Sequence, residues 1–234
     1  MIEFGHGTHV GLRRTRNEDT YYADPVLGLF LVADGMGGHQ HGEVASALVR
    51  DTIVDQVACG RGLVEAVRGA GERLLARSGG ASDALPMGTT VAALRLVGER
   101  YEVAWVGDSR IYLWQRGTLR QVSHDHSLVQ ELVEAGQLDP AVASRHPQRN
   151  VLTQALGVTA IDQLHIGMAR GTAETGVAFV LCSDGLTEAL PDAAIARIVA
   201  REELAAQECV DQLLLAALDG AADDNITVIL ARVR

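Results

Sequence analysis

Residues 28–39 read GLFLVADGMGGH. The first six, 28–33, are a short apolar run bounded by glycine, the pattern of a buried β-strand. Asp34-Gly35 follows at once and opens a glycine-rich turn. A carboxylate next to glycine at the end of a buried strand is held in place by the strand, and glycine lets backbone approach a ligand closely. Acids flank two further apolar runs. Residues 177–182 (VAFVLC) lead into Asp184-Gly185, and Asp223-Asp224-Asn225 precede the apolar run 226–233. Near the front, RTRNED (residues 14–19) ends in Glu18-Asp19.

Other strands surround these. Residues 89–97 alternate, with Ala92, Leu94 and Leu96 on one side, and a Gly98-Glu99 turn leads to 101–106. Runs 111–114 and 119–122 flank a turn at Arg116-Gly117. Helical periodicity appears at 43–57, 63–76, 127–135 and 203–218. Ser127-x-x-Gln130 has the spacing of a capping box and Gly136 stops that helix. Its Leu128, Val129, Leu132 and Val133 read as core, as do Trp105 and Trp114 on their strands. Hairpins in series, with helices before and after, predict an α+β fold rather than an alternating parallel sheet. The one linker-like stretch, SGGAS at 78–82, is loop-sized, so residues 1–234 read as one domain.

Composition narrows the functions. Hydrophobic residues make up 47% and charged residues 21%, which suits a globular chain rather than a disordered one. Thirty acids against 20 bases give a net charge of −10, a poor match to nucleic acid or an anionic membrane. Every base is arginine; the absence of lysine excludes Schiff-base chemistry and the Walker lysine. Three cysteines without a Cys-x-x-Cys fit a reducing cytoplasm. No apolar run is long enough to span a bilayer.

An isolated Asp-Gly is most often only a turn. Three aspartate groups at strand ends plus Glu18-Asp19 are equally compatible with a shared site. There, converging carboxylates would repel unless a hard divalent cation lay between them. Oxygen ligands alone favour Mg²⁺ or Mn²⁺ over Zn²⁺. The pairs His39-x-His41 and His124-x-His126 suggest a zinc hydrolase, but the chain continues Gly42-Glu43-Val44 where a His-x-His-x-Asp-His pattern needs Asp-His.

These segments resemble the metal-dependent Ser/Thr protein phosphatases of type 2C, in their compact bacterial form. The matching stretches are RTRNED (14–19), VADGMGGH (32–39), GEVAS (42–46), MGTT (87–90), VGDSRIY (106–112), HPQRNVLTQAL (146–156), LCSDGL (181–186) and DNITV (224–228). They follow the family's order nearly end to end. The resemblance implies a central antiparallel β-sandwich with helices outside both sheets (α/β/β/α layers) and a small flap at about 136–157.

Carried over position by position, it implies two central Mn²⁺ or Mg²⁺ ions. Asp34 bridges them, the Gly35 carbonyl serves one, and Asp184 and Asp224 serve the other. Glu18 and Asp19 match positions that hold metal-bound waters. Asn225 supports Asp224, Arg14 grips the substrate phosphate, and Asp125 helps bind a weaker third ion; alternatively, Asp125 caps the helix at Ser127. The implied reaction is hydrolysis of phosphoserine and phosphothreonine by a hydroxide formed where a metal lowers the pKa of water to about 7. No cysteine has the Cys-x₅-Arg spacing of tyrosine phosphatases. Met36 replaces the histidine of animal-type members, which leaves His39 as the nearby candidate acid, or as a loop residue that only shapes substrate entry. Asp223, where relatives often carry Pro or Arg, reads as surface variation.

The expected partners are phosphoproteins, among them a bacterial Ser/Thr protein kinase whose action the enzyme reverses, with no nucleic acid or membrane. A cytoplasmic monomer is expected. Two alternatives stand beside this reading: a switch phosphatase for a phosphorylated anti-sigma-factor antagonist, against which the HPQRN flap argues, and a non-catalytic scaffold.

Overall fold

A computed structural model describes residues 1–37, 41–78, 87–143 and 145–234. The linker-like 78–82 stretch therefore falls almost wholly outside the described residues. In chain order the strands are β1 (Ile2–His9), β2 (Asp19–Asp24), β3 (Leu29–Met36), β4 (Gly88–Thr89), β5 (Val91–Val97), β6 (Arg100–Val106), β7 (Arg110–Gln115), β8 (Thr118–Gln121), β9 (Gly167–Thr172), β10 (Ala178–Cys182) and β11 (Ile226–Val233). The helices are α1 (His41–Ala58), α2 (Leu63–Ser78), α3 (Leu128–Glu134), α4 (Pro140–Ala143), α5 (Asp184–Ala189), α6 (Asp192–Val199) and α7 (Ala206–Asp219).

One sheet runs β1-β11-β10-β7-β8; the other runs β2-β3-β5-β6-β9, with β4 beside β3. Every ladder is antiparallel. The continuous apolar run in β3 now has a cause. Phe30 and Val32 meet Phe179, Leu181 and Ile229 between the sheets. Leu29 and Leu31 face the other way, against Val49 and Ile53 of α1 and Leu74 of α2. Strand β11 is divided likewise: Ile229 and Ala231 point into the sandwich, while Val228 and Leu230 lie under Val210 and Leu213 of α7. A strand covered on both faces has no polar face to show. The layers are α/β/β/α, as expected.

Several boundaries differ from the sequence reading. Strand β3 continues through Asp34 and Gly35 to Met36, because β2 pairs Asp19 with Asp34 and β4 pairs Thr89 with Gly35. Helix α7 starts at Ala206, where Glu208 reaches back to the Ala205 N–H at 2.8 Å. Asp184-Gly185 opens helix α5 instead of a plain turn, anchored by the fully buried Leu186.

Helix α3 corrects a further expectation. Ser127 is its N-cap, but none of its residues is buried, so Leu128, Val129, Leu132 and Val133 are not core. The helix rests on α4, outside the layers. The reciprocal half of the capping box is absent, since the Gln130 amide donates to Glu134 at 2.8 Å. The segment then returns to its own root: Leu128 N–H donates to the Val151 carbonyl at 2.9 Å, and Thr153 N–H to that of His126 at 2.9 Å. Trp105 is buried between the sheets, and Trp114 packs half-buried under the α5–α7 layer. Among the described residues no helix is long and apolar enough to cross a membrane.

Candidate metal centre

The registers bring the acidic segments to one end of the sandwich. Cys182 pairs with both Val228 and Arg110, so Asp184, the start of β11 and the start of β7 share an edge. Ser183 N–H donates to the Thr227 carbonyl at 3.0 Å, and Thr227 N–H to Ser183 Oγ at 2.9 Å, which continues the ladder towards Asp224. In the facing sheet Asp34 ends its pairing with Asp19 at the same level.

Asp34 is seated by contacts to its backbone. The Asp34 N–H donates to Thr90 Oγ1 at 3.0 Å; its carbonyl accepts from Thr90 N–H at 2.9 Å and Thr89 Oγ1 at 2.8 Å. Thr90 Oγ1 also meets Ser109 Oγ at 2.7 Å, beside Asp108. Asn225, almost fully buried, accepts from the Glu18 N–H at 2.7 Å and donates to the carbonyls of Val10 and Arg16 at 2.8 and 2.9 Å. One amide thereby holds the 10–18 segment that carries Arg14 and Glu18. Gly35 must be glycine, because a Cβ would run into the Gly42 carbonyl at the head of α1.

A cavity of about 530 Å³ opens over this floor, lined by Arg14, Glu18, Asp34, Asp108, Asp184 and Asp224 among others. A neighbouring cavity of about 760 Å³ shares Asp108, Asp184 and Asp224 and extends beneath α3 and α4. Burial, reinforced by Asp19, Asp184 and Asp108, holds the Asp34 carboxyl well above its ordinary range. Asp184 is raised well above it by burial and then by Asp108 and Glu188. Burial pushes Asp108 up to about 7, with Asp125 adding repulsion, and pushes Asp19 up to about 6. Oδ1 of Asp19 and Oδ1 of Asp184 are buried with no hydrogen-bond partner.

Among the described residues, no group of three or more His, Cys, Asp or Glu side chains is gathered closely enough to hold a metal ion by itself. The carboxylates face one another across an open cavity. Orphaned, mutually repelling oxygens in that arrangement fit hard divalent cations supplied from outside.

The expected residues fare differently. Asp34, Gly35, Asp184, Asp224, Glu18 and Asn225 all line the smaller cavity, and Arg14 stands at its rim, donating to Asp224 Oδ2 at 2.6 Å. Asp19 lies behind, accepting from Ser183 Oγ at 2.7 Å. His39 lies outside the described residues. Asp223 is an exposed partner of Arg13 at 3.0 Å.

Asp125 needs correction on its expected role as a cap, and its oxygens are already engaged. It does not cap α3, since Ser127 does. Nor are its oxygens open: Arg110 Nη2 donates to Oδ2 at 2.7 Å, Arg110 Nε reaches both oxygens at 3.0 Å, and Gln121 donates to Oδ1 at 2.8 Å. The carboxylate that lines both cavities with Asp184 and repels it most among its neighbours is Asp108, which the sequence reading missed. A signal was present: Gly107-Asp108 ends the apolar strand 101–106, but with glycine before the aspartate.

Known proteins share this architecture. A family model described as protein phosphatase 2C matches residues 7–221. The serine/threonine protein phosphatase PstP of Mycobacterium tuberculosis is 37% identical over 239 residues, covering all of this chain and 45% of that protein, so the chain spans less than half of that relative's length. Protein phosphatase PhpP of Streptococcus pneumoniae is 33% identical, over 95% of this chain and 94% of its own. A solved catalytic domain of serine threonine protein phosphatase PstP, in complex with two manganese ions, superposes with a TM-score of 0.88 at 32% identity, covering 100% of this chain and 99% of that one. With a family model spanning most of its length and relatives similar in sequence and fold from end to end, the chain belongs to the protein phosphatase 2C family.

Proposed function

We propose that the chain is a Mn²⁺- or Mg²⁺-dependent phosphatase that hydrolyses phosphoserine and phosphothreonine in proteins. The observation that carries this reading is the convergence of Asp34, Asp108, Asp184 and Asp224 on one cavity with Arg14 at its rim. The manganese ions of the PstP catalytic domain support the choice of metal.

Asp34, the Gly35 carbonyl, Asp184 and Asp224 would hold the central ions, and Asp108, in place of Asp125, would hold a weaker third together with Asp184. Glu18 and Asp19 would orient water around them. When bound, the cations supply Lewis acidity to phosphate oxygens and bring the pKa of water towards neutrality. The chain's own part is placement. Arg14, more than half exposed, can turn its planar fork from Asp224 to two phosphate oxygens, a geometry suited to a dianion. Asn225 fixes the segment that carries Arg14. Leu152 and Met36 give the cavity apolar walls beside the ester. His39 remains the candidate proton donor to the leaving alkoxide.

Phosphoproteins are the substrates on this reading, including a Ser/Thr kinase as partner of a cytoplasmic monomer, within a single catalytic domain. No observation favours the scaffold alternative, since every expected carboxylate is present. The test is hydrolysis of p-nitrophenyl phosphate and a phosphothreonine peptide with Mn²⁺ and with EDTA. Turnover of both that needs the metal is the expected result; pure protein leaving both intact with Mn²⁺ would overturn the reading.

A further inference from the structure

Arg110 and Asp108 are two residues apart in the chain and line the same cavity of about 760 Å³. Arg110 is mostly buried, with its side chain 28% exposed, and a guanidinium keeps its charge at any ordinary pH. Beside an open carboxylate it would pair with that carboxylate and so compete with any cation that needs it. In the structure it does not. Among the described residues its ion pairs are with Asp125 at 2.7 Å and Asp192 at 4.0 Å, not with Asp108.

The arrangement that prevents the pairing is specific. Asp125 takes one whole edge of the guanidinium, Nε and Nη2, and Gln121 holds Asp125 from the other side. The remaining Nη1 donates to the Tyr112 hydroxyl at 3.2 Å, and that hydroxyl donates to Asp192 Oδ1 at 2.9 Å. The next residue of the same loop reaches the backbone beside Asp108. His126 N–H donates to the Gly107 carbonyl at 2.9 Å, and Gly107 N–H to His126 Nδ1 at 3.2 Å. Gly107 has φ of 98°, a conformation open to glycine, so this clasp sets how the chain enters Asp108. Ser127 then caps α3, which places the root of the flap in the same tripeptide.

We propose that Asp125 is a positioning residue: it holds Arg110 away from Asp108, so that Asp108 stays free for a divalent cation. The inference rests on the reading of Asp108 as a ligand in the proposed function. It assigns Asp125 the opposite of a ligand's part, since it acts on the cation only through Arg110.

The two parts separate in a double-mutant cycle. The measurement is Mn²⁺ binding to the 234-residue chain by calorimetry, without substrate, with the melting temperature in EDTA as a check of folding. Asp125→Asn frees Arg110 and should weaken the weakest Mn²⁺ site by about tenfold. Arg110→Gln should bind at least as tightly as the parent. Combining the two removes the competitor together with its keeper, and affinity should return to within about threefold of the parent. Asp125→Ser, which also removes the carboxylate from Arg110, takes the place of Asp125→Asn in the same cycle if that variant does not fold. A double variant as weak as Asp125→Asn would make Asp125 a ligand and overturn the proposal; so would parental affinity in Asp125→Asn. Asp108→Asn tests the underlying reading separately: if every Mn²⁺ site survives it, Asp108 is not a ligand and the proposal falls with it.

Discussion

Asp184 and Asp125 line one cavity and meet opposite fates. Asp184 has an oxygen that accepts from nothing and neighbours that repel it, namely Asp108, Glu188 and Asp224. Asp125 accepts three contacts from Arg110 and one from Gln121. A buried carboxylate with its own guanidinium is complete, whereas one without must bind a proton or a cation. On the proposed reading the unpaired group is the one equipped to take an ion from solution, and the paired group belongs to the scaffold around it. Asp224 lies between the two cases, half-buried and held by an Arg14 that is itself mostly exposed and able to leave.

The largest effect expected from this contrast is on turnover. Asp184→Asn or Asp34→Asn should lower Mn²⁺-dependent hydrolysis by at least about 10²–10³-fold, the scale of losing one preorganised electrostatic contact. The melting temperature in EDTA should not fall, because each change removes repulsion from the floor of the cavity. Steady-state kinetics with p-nitrophenyl phosphate and a thermal melt measure both. A variant that keeps its activity would remove that aspartate from the unpaired group.

Next comes the pH dependence of the metal-free protein. Asp108 is raised to about 7 and Asp19 to about 6, from 3.8. Between those values the folded state binds more protons than the unfolded state, so stability falls as pH rises through the window. The melting temperature in EDTA should be higher near about pH 5 than near about pH 7.5, and saturating Mn²⁺ should flatten the difference. Equal melting temperatures in EDTA at the two pH values would mean that the carboxylates do not repel as their surroundings imply.

The smallest effect sharpens the intermediate case. Arg14→Lys keeps the charge that faces Asp224 but loses the fork. It should raise KM for a phosphopeptide about tenfold while Mn²⁺ binding stays near parental. Unchanged KM and kcat would confine Arg14 to its pairing with Asp224.

Much of this was legible in the sequence because it was local. The apolar runs that became β3, β10 and β11 carry their own period and length. The acids at their ends were visible as strand-end aspartates, and the order of eight motifs pointed to the family. The short helices α5 and α6 were not legible, since six and eight residues leave too few turns for a helical period to stand out. The apolar positions of α3 were misread for a related reason. Periodicity reports an apolar stripe but not what, if anything, covers it.

By itself, then, the sequence determined an α+β chain and most of the carboxylates at its strand ends, because strand burial and turn chemistry are written in neighbouring residues; the layered sandwich followed only from the resemblance of its motifs to a family. Only the tertiary structure decided which of those carboxylates are paired. Arg110 reaches Asp125 across the β7–β8 hairpin, while Asp184 and Asp34, from facing sheets, have other carboxylates as their main charged neighbours. That difference depends on the register of β7 against β10 and on the packing of two sheets, and no spacing along the chain encodes either.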